Sequence, residues 1–302
     1  MNTRPGSRLQ GRAGRGLVIG VPFFWLGLFF LAPFLIVLKV SFAEAILGNP
    51  PFGPMIEWVD GAYLQMRLNI GSYRLMIEDS LYLGAFLHSL RVAAVSTLLC
   101  LLIGYPMAYG IARARPALRL PLLMLIVLPF WTSFLIRVYA WIGILKNNGL
   151  LNNMLTGLGI LDQPVALLHT PAAVYVGIVY SYLPFMILPL YATLVRLDLT
   201  LLEAAADLGA RPWQAFVKVT LPLSLPGIIA GSLLVFVPAT GEFVIPDLLG
   251  GPDSLMIGRV LWTEFFNNAD WPVASAMAVV MLVILVVPVA WLQRSQWDDR
   301  EV

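Results

Sequence analysis

Apolar runs about 20 residues long recur along this chain, and they constrain its fold more than any other feature. Six runs occur, at about residues 17–41, 83–112, 118–145, 172–195, 224–247 and 273–292. A helix of this length, rising about 1.5 Å per residue, crosses a hydrocarbon core about 30 Å thick. Strands of a membrane barrel would instead alternate apolar and polar residues. The sequence therefore predicts an all-α, polytopic membrane protein with six transmembrane helices.

The first run could also be interpreted as a cleaved signal peptide, because arginines precede it and Ala43-Glu44-Ala45 follows it. The apolar region of a signal peptide is usually about 7–15 residues, and the stretch from Leu17 to Leu38 is longer. We interpret the run as a transmembrane helix that is not cleaved from the protein.

Lysine and arginine near the ends of the runs predict the orientation, because these residues are enriched in cytoplasmic segments. With a cytoplasmic N-terminus, 12 of them lie inside and four lie in outer loops. The prediction is a cytoplasmic tail at 1–16, a transmembrane domain at 17–293 and a cytoplasmic tail at 294–302. The first outer loop then covers 43–82, and a cytoplasmic loop covers 196–222.

That cytoplasmic loop, residues 196–222, contains the polar sequence E-A-A-A-D-L-G-A-R-P-W. Thr200 and Glu203 fit a capping box at a helix start, and the alanines favour helix. Gly209 suits the left-handed position that ends a helix. Pro212 fits the first turn of a second, separate short helix before the fifth span. The loop is thus expected to form a helix, a tight turn and another helix.

The spacing E-A-A, three residues, G, nine residues, V-x-L-P resembles the E-A-A loop of ABC importer permeases. The resemblance implies a type I importer permease fold in which a coupling helix docks into a cleft on a cytoplasmic ATPase. We call residues 196–222 the coupling loop. Its expected contact residues are Glu203, Ala204, Ala205, Asp207, Gly209, Arg211, Leu221 and Pro222.

The chain shows no motif for its own ATP chemistry. A phosphate-binding loop needs G-x-x-x-x-G-K-[ST], and none of the three lysines, Lys39, Lys146 and Lys218, follows a glycine. Two histidines exclude a histidine-rich metal site. We predict no catalytic residue, metal or cofactor in this chain, and expect ATP and Mg on the partner ATPase.

Longer stretches resemble permeases of the spermidine/putrescine group. They are P-F-W-T-S-F-L-I-R-V-Y-A-W-I-G-I-L-K-N-N-G at 129–149, G-E-F-V-I-P-D-L-L-G-G-P-D-S-L-M-I-G-R-V at 241–260 and E-F-F-N-N-A-D-W-P-V-A-S-A at 264–276. The resemblance implies import of a polyamine, with putrescine as the expected cargo, across a bacterial inner membrane.

The same resemblance implies a set of partners: a periplasmic polyamine-binding protein, a related second permease subunit and two copies of an ABC ATPase. Membrane lipid is the other expected contact, and no nucleic acid is expected. Two alternatives stay open. The same machinery could carry spermidine or another small solute, or the chain could be a secondary transporter that needs no nucleotide.

Ionisable groups within spans are functional candidates because burying them in a membrane is costly. Glu242, in the outer half of the predicted fifth span, could contact a cationic cargo or form an ion pair with Arg91 or Arg137. Asp247 is a candidate gate or loop residue. The aromatic candidates for the pathway are Trp131, Tyr139, Trp141, Tyr180 and Tyr182. They could supply cation–π faces or belong to the interfacial aromatic belt.

Overall fold

The computed structural model describes residues 18–59, 63–252 and 254–298. The predicted N-terminal tail at 1–16 and the last residues, 299–302, lie outside the described residues. In chain order the elements are α1 (Val18–Ser41), β1 (Ile56–Val59), β2 (Tyr63–Met66), α2 (Gly71–Glu78), α3 (Ser80–Arg113), α4 (Pro116–Val127), α5 (Phe134–Leu145), α6 (Leu150–Gly157), α7 (Pro171–Leu194), α8 (Thr200–Asp207), α9 (Pro212–Thr240), α10 (Val244–Leu249), α11 (Ile257–Trp262) and α12 (Trp271–Asp298).

The described chain is mainly helical, which confirms the predicted fold class. By length and composition α1, α3, α7 and α9 can each cross a membrane. The third run forms two helical segments, Pro116–Trp131 and Phe134–Gly157, that are bent by 90° and make a fifth span if counted together. The sixth run forms a shorter apolar helix, Trp271–Val287, within α12. An antiparallel hairpin of β1 and β2 lies within the predicted outer loop.

The chain divides into two compact units. The first contains the described residues up to Asp79 and those from Leu261 onward, and in it α1 packs against α12. Within this unit, the hydroxyl groups of Ser41 and Tyr73 share a hydrogen bond of 2.8 Å. The second unit, Ser80–Val260, contains all residues of the coupling loop and all candidate pathway residues.

The core of the second unit is formed by α3, α7 and α9. Gly231 of α9 lies so close to α7 that an added Cβ would be 3.0 Å from the carbonyl oxygen of Met186. Small residues permit this approach, and membrane helices associate mainly through close packing. Between α3 and α9, the Tyr105 and Ser224 hydroxyls lie 2.9 Å apart and satisfy each other in the buried interior. The three helices therefore form one tightly packed frame.

Two predicted spans are interrupted within this unit. The third changes direction at Thr132-Ser133, after a 3₁₀ turn that contains Pro129. The fifth ends at Thr240 instead of 247, and α10 starts at Val244. In an unbroken helix the ring of Pro246 would clash with the carbonyl group of Glu242, so the chain leaves the helix there. Both interruptions place irregular backbone inside predicted spans.

Candidate functional site

The first helix of the coupling loop is capped differently from the prediction. Asp198 Oδ1 accepts a hydrogen bond from the Thr200 amide at 3.0 Å, and Thr200 is already the first helical residue. No side chain caps the α8 N-terminus in the predicted way, so the Thr200–Glu203 capping box is wrong. Both Asp198 and Thr200 belong to residue types that bind free amides near helix starts, and the aspartate takes this role here.

The end of α8 matches the prediction for Gly209. This residue has φ +82°, in the left-handed region that favours glycine. The Ala210 amide donates to the Ala205 carbonyl at 2.9 Å, and the Gly209 amide donates to the Ala206 carbonyl at 2.8 Å. This pair of bonds is the Schellman motif, which satisfies the last carbonyl groups of a helix. Gly209 thus sets the angle between α8 and the following chain.

The prediction that the second helix of the loop is separate from the fifth span is wrong. Pro212 begins a helix that runs unbroken to Thr240, with a π-helical turn at Phe216–Thr220. The Arg211 amide donates to Gln214 Oε1 at 2.9 Å, which satisfies a free donor at the helix start. The wider turn admits Leu221-Pro222 without a break, because π-turns relax the regular hydrogen-bond pattern. The coupling loop is therefore continuous with a membrane helix.

The coupling loop presents a surface of small and apolar side chains. Leu208 is 90% exposed and Trp213 is 62% exposed, on either side of Gly209. Glu203, Ala204, Asp207 and Arg211 are also exposed, whereas Ala205 and Leu221 are half-buried. Large apolar residues exposed together with small ones are typical of a surface that another protein covers.

An aromatic cluster joins the coupling loop to α3. The ring of Phe216 meets those of Tyr105 and Tyr109 edge-on, with centroid distances of 5.6 and 6.2 Å. The Arg113 guanidinium lies 5.2 Å from the centre of the Tyr109 ring. Edge-to-face aromatic pairs contribute about 0.5–1.5 kcal/mol beyond area burial. Displacement of the loop would therefore be passed to α3 as well as to α9.

Residues at both span interruptions, together with residues of α7, line an open cavity of about 400 Å³. Tyr182, near the midpoint of the 24-residue α7, lies on its wall. The full lining consists of Phe130, Phe134, Ser181, Tyr182, Phe185, Pro238, Gly241, Glu242, Phe243 and Val244. Of the seven predicted pathway residues, Glu242 and Tyr182 line this cavity.

Glu242 is 7% exposed and is held entirely by neutral donors. Its Oε1 atom accepts hydrogen bonds from the amides of Val244 and Ile245 at 3.0 and 3.3 Å. The Tyr182 hydroxyl donates to Oε2 at 2.5 Å. Neither Arg91 nor Arg137 forms an ion pair with this carboxylate in the structure. The interruption of the helix directs two backbone amides toward the carboxylate. These amides bind the carboxylate where an arginine was a predicted partner.

The other predicted pathway residues lie elsewhere. Trp141 packs edge-on against Tyr180 at 5.4 Å, while Trp131 and Tyr139 are exposed, at 81% and 58%. Asp247 accepts from Arg259 Nε at 3.0 Å in a half-exposed ion pair. The structure therefore does not bring these five residues to the cavity lined by Glu242.

Four phenylalanines in the cavity lining, Phe130, Phe134, Phe185 and Phe243, were not identified from the sequence. Two of them, Phe130 and Phe185, meet edge-on at 5.3 Å. Phenylalanine is common in membrane helices, so composition offers no reason to select these residues. The prolines that precede or follow them, Pro129, Pro184 and Pro246, are the available signal, because prolines mark interruptions where functional cavities occur.

No group of three or more histidine, cysteine or acidic residues that could hold a metal occurs within 18–59, 63–252 and 254–298. The described features are instead a frame of apolar helices, an aromatic cavity with one buried carboxylate between broken spans, and an exposed helical loop. Together they define a membrane transport subunit.

The chain belongs to the family of binding-protein-dependent transport system inner membrane components, which matches residues 16–296. It is a transport permease and not an enzyme. It is 40% identical over 261 residues to the spermidine/putrescine transport system permease protein PotB of Escherichia coli (strain K12), covering 86% of this chain and 90% of that protein. It is 42% identical to the PotB protein of Haemophilus influenzae (strain ATCC 51907 / DSM 11121 / KW20 / Rd) over 269 residues, 89% of each chain.

Solved structures show the same fold. A bacterial ABC transporter involved in the import of the acidic polysaccharide alginate matches with a TM-score of 0.69 at 18% identity. The match covers 96% of this chain and 98% of that one. The resemblance predicted from the coupling loop is thus confirmed at the level of family and fold.

Proposed function

We propose that this chain is the membrane permease subunit of an ATP-driven importer that carries a polyamine from the periplasm to the cytoplasm. One observation supports this cargo most directly. In a chain similar to spermidine/putrescine permeases, a buried carboxylate with no arginine or lysine partner among the described residues lines an aromatic cavity near the midpoint of a spanning helix. Putrescine is the proposed cargo, with spermidine as the close alternative.

The cavity suits an alkylammonium ion for two reasons. Glu242 offers a full negative charge that its neutral donors do not cancel. Phe130, Phe134 and Phe185 offer apolar faces to the methylene groups and ring faces to the charge. A cation over an aromatic face gains about 0.5–2 kcal/mol, with the larger values in desolvated sites. We therefore assign cargo contact to Glu242 and Tyr182.

The coupling loop is proposed to receive the movement of a separate ATPase. The exposed surface around Gly209 fits a cleft on that partner, and the helix from Pro212 to Thr240 leads directly to the residues before Glu242. A displacement at the loop would act on the cavity through one continuous helix. Two ATPase copies, a second permease subunit and a periplasmic polyamine-binding protein complete the proposed complex.

We propose that both termini and the coupling loop face the cytoplasm, as the distribution of lysine and arginine predicts. Leu208 is a suitable reporter because its side chain is 90% exposed, whereas the native Cys100 is buried. In Leu208→Cys produced without the ATPase, which would cover this position, a membrane-impermeant maleimide should label inverted vesicles and leave intact spheroplasts unlabelled. Labelling of intact spheroplasts would place the coupling loop in the periplasm and exclude contact with a cytoplasmic ATPase.

Reconstitution tests the proposed function itself. The complete complex in proteoliposomes should accumulate radiolabelled putrescine or spermidine only with ATP on the ATPase side and binding protein on the other. Omitting either component should reduce uptake at least about tenfold, because cargo delivery and ATP-driven movement are separate steps. Uptake that persists without ATP would instead indicate a secondary transporter, and absence of polyamine uptake would exclude this cargo.

A further inference from the structure

A buried arginine without a hydrogen-bond partner on two of its nitrogens lies against the cavity wall. Arg137 is 9% exposed, and its Nε and Nη1 atoms form no hydrogen bond. Its guanidinium carbon lies 4.7 Å from the centre of the Phe130 ring and 5.8 Å from that of Phe134. Both rings line the cavity that Glu242 also lines. Arg137 therefore contacts two rings of the cavity that Glu242 lines, and these two residues form no ion pair with each other.

The two charges are compensated unequally. Three neutral donors hold the carboxylate of Glu242, whereas two aromatic faces are the recorded partners of the Arg137 guanidinium. A buried charge is strongly unfavourable unless it is paired and hydrogen-bonded, and aromatic faces offset only part of that cost. If the two residues had a purely structural role, a direct ion pair would satisfy both. Their separation leaves the carboxylate available to a cation from outside.

The position of Arg137 would allow it to move. It lies in the first turn of α5, directly after the 90° bend in the third run. A change in that bend would shift the guanidinium without unfolding either helical segment. Phe134, whose ring contacts the guanidinium, lines the same cavity as Glu242, so a shift of Arg137 would act on the space beside the carboxylate.

We propose that Arg137 is an internal competitor of the cationic cargo, and that its guanidinium takes the place of the cargo ammonium at Glu242 when the cargo leaves. This inference rests on the proposed function of the cavity. Arg137 weakens cargo binding by competing for the same carboxylate, and it neutralises that carboxylate once the cargo has left. It is a positioning and release residue, whereas Glu242 makes the cargo contact.

The test compares Arg137→Met with Arg137→Lys in the complete complex in proteoliposomes, using radiolabelled putrescine. Methionine fits between the phenylalanines, and replacing a buried charge with a packed apolar side chain is often neutral or stabilising. Without the competing cation, cargo should remain on the complex about tenfold longer after dilution. The maximal rate of ATP-driven uptake should fall at least about fivefold, because release becomes limiting. Arg137→Lys keeps the charge and should stay near the wild type in both measurements.

Arg137→Met combined with Glu242→Gln separates this mechanism from a structural effect. In the Glu242→Gln background the arginine has no carboxylate to occupy, so Arg137→Met should no longer prolong retention.

A slower rate of uptake with unchanged cargo retention in Arg137→Met would overturn the inference and indicate a packing role. Wild-type behaviour of that variant would also overturn it. If Arg137→Met fails to assemble, Arg137→Gln can be used for the same two measurements, cargo retention and the maximal rate of uptake. Failure of the wild-type complex to carry putrescine or spermidine would instead count against the proposed function.

Discussion

Replacing Gly209 with valine should reduce ATP-driven uptake to about 5% of wild type or less while the protein still inserts into the membrane. An L-residue in the left-handed conformation costs about 1–2 kcal/mol, and a β-branched residue costs more. Nothing lies within 4 Å of the position that an added Cβ would occupy, so the substitution disturbs no packing within the described chain. The expected damage is a changed angle between α8 and α9, and added bulk on the surface assigned to the ATPase.

Gly159 provides a matched control for this substitution. It has φ +69°, nothing lies within 4 Å of its added Cβ, and it also closes a helix. The Ile160 amide donates to the Leu155 carbonyl and the Gly159 amide to the Thr156 carbonyl, as at Gly209. Gly159→Val should thus cause similar local strain but keep at least about half of the uptake, because Gly159 lies outside the coupling loop. Equal losses in both variants would show that strain alone explains the defect.

Replacing Glu242 with glutamine should lower uptake about thirtyfold or more, consistent with the about 2–5 kcal/mol expected when one partner of a buried charged contact is removed. Glutamine retains an oxygen that can accept from the amides of Val244 and Ile245, so the break after α9 should persist. It loses the negative charge that would bind an ammonium group. Initial rates of polyamine uptake, normalised to inserted protein, provide the measurement.

Two further variants show whether the negative charge of Glu242 is responsible for the expected loss of uptake. Tyr182→Phe removes one donor to Glu242 but preserves the carboxylate, and should lower uptake only a few-fold. Asp247→Asn removes a carboxylate from a half-exposed ion pair with Arg259, and such pairs contribute about 0–1 kcal/mol. It should leave uptake near the wild-type rate. Near-normal uptake in Glu242→Gln would contradict the assignment of Glu242 to cargo contact. Loss of inserted protein would indicate that the carboxylate mainly stabilises the backbone between α9 and α10.

The coupling loop and the cavity are the two ends of one structural path within the second unit. Phe216 packs against Tyr105 and Tyr109 at the loop end, and the same helix terminates just before Glu242 at the cavity end. A helix transmits displacement along its axis because its backbone hydrogen bonds resist compression. This continuity explains how the residues tested by Gly209→Val could influence the cavity without touching it.

The sequence alone determined the features that depend on local chemistry and on solvent. Long apolar runs specify membrane helices whatever their neighbours are, because the backbone must satisfy its hydrogen bonds within the lipid. Gly209 was identified correctly because few residues other than glycine accept the left-handed end of a helix. The family was inferred from the resemblance of the E-A-A spacing to that of ABC importer permeases, and the family match over residues 16–296 agrees with it.

Only the tertiary structure decided where helices break and which charges meet. Pro129, Pro238 and Pro246 all lie in predicted spans, yet the helix continues through Pro238 and is interrupted near the other two. A proline disrupts a helix locally, but packing against α7 decides whether the chain bends or ends there. The partners of Glu242 followed from that outcome, because the broken backbone supplied amides where the sequence suggested an arginine. Arg137 was left beside two phenyl rings for the same reason: side-chain pairing across a bundle depends on helix rotation and depth, which spacing along the chain does not specify.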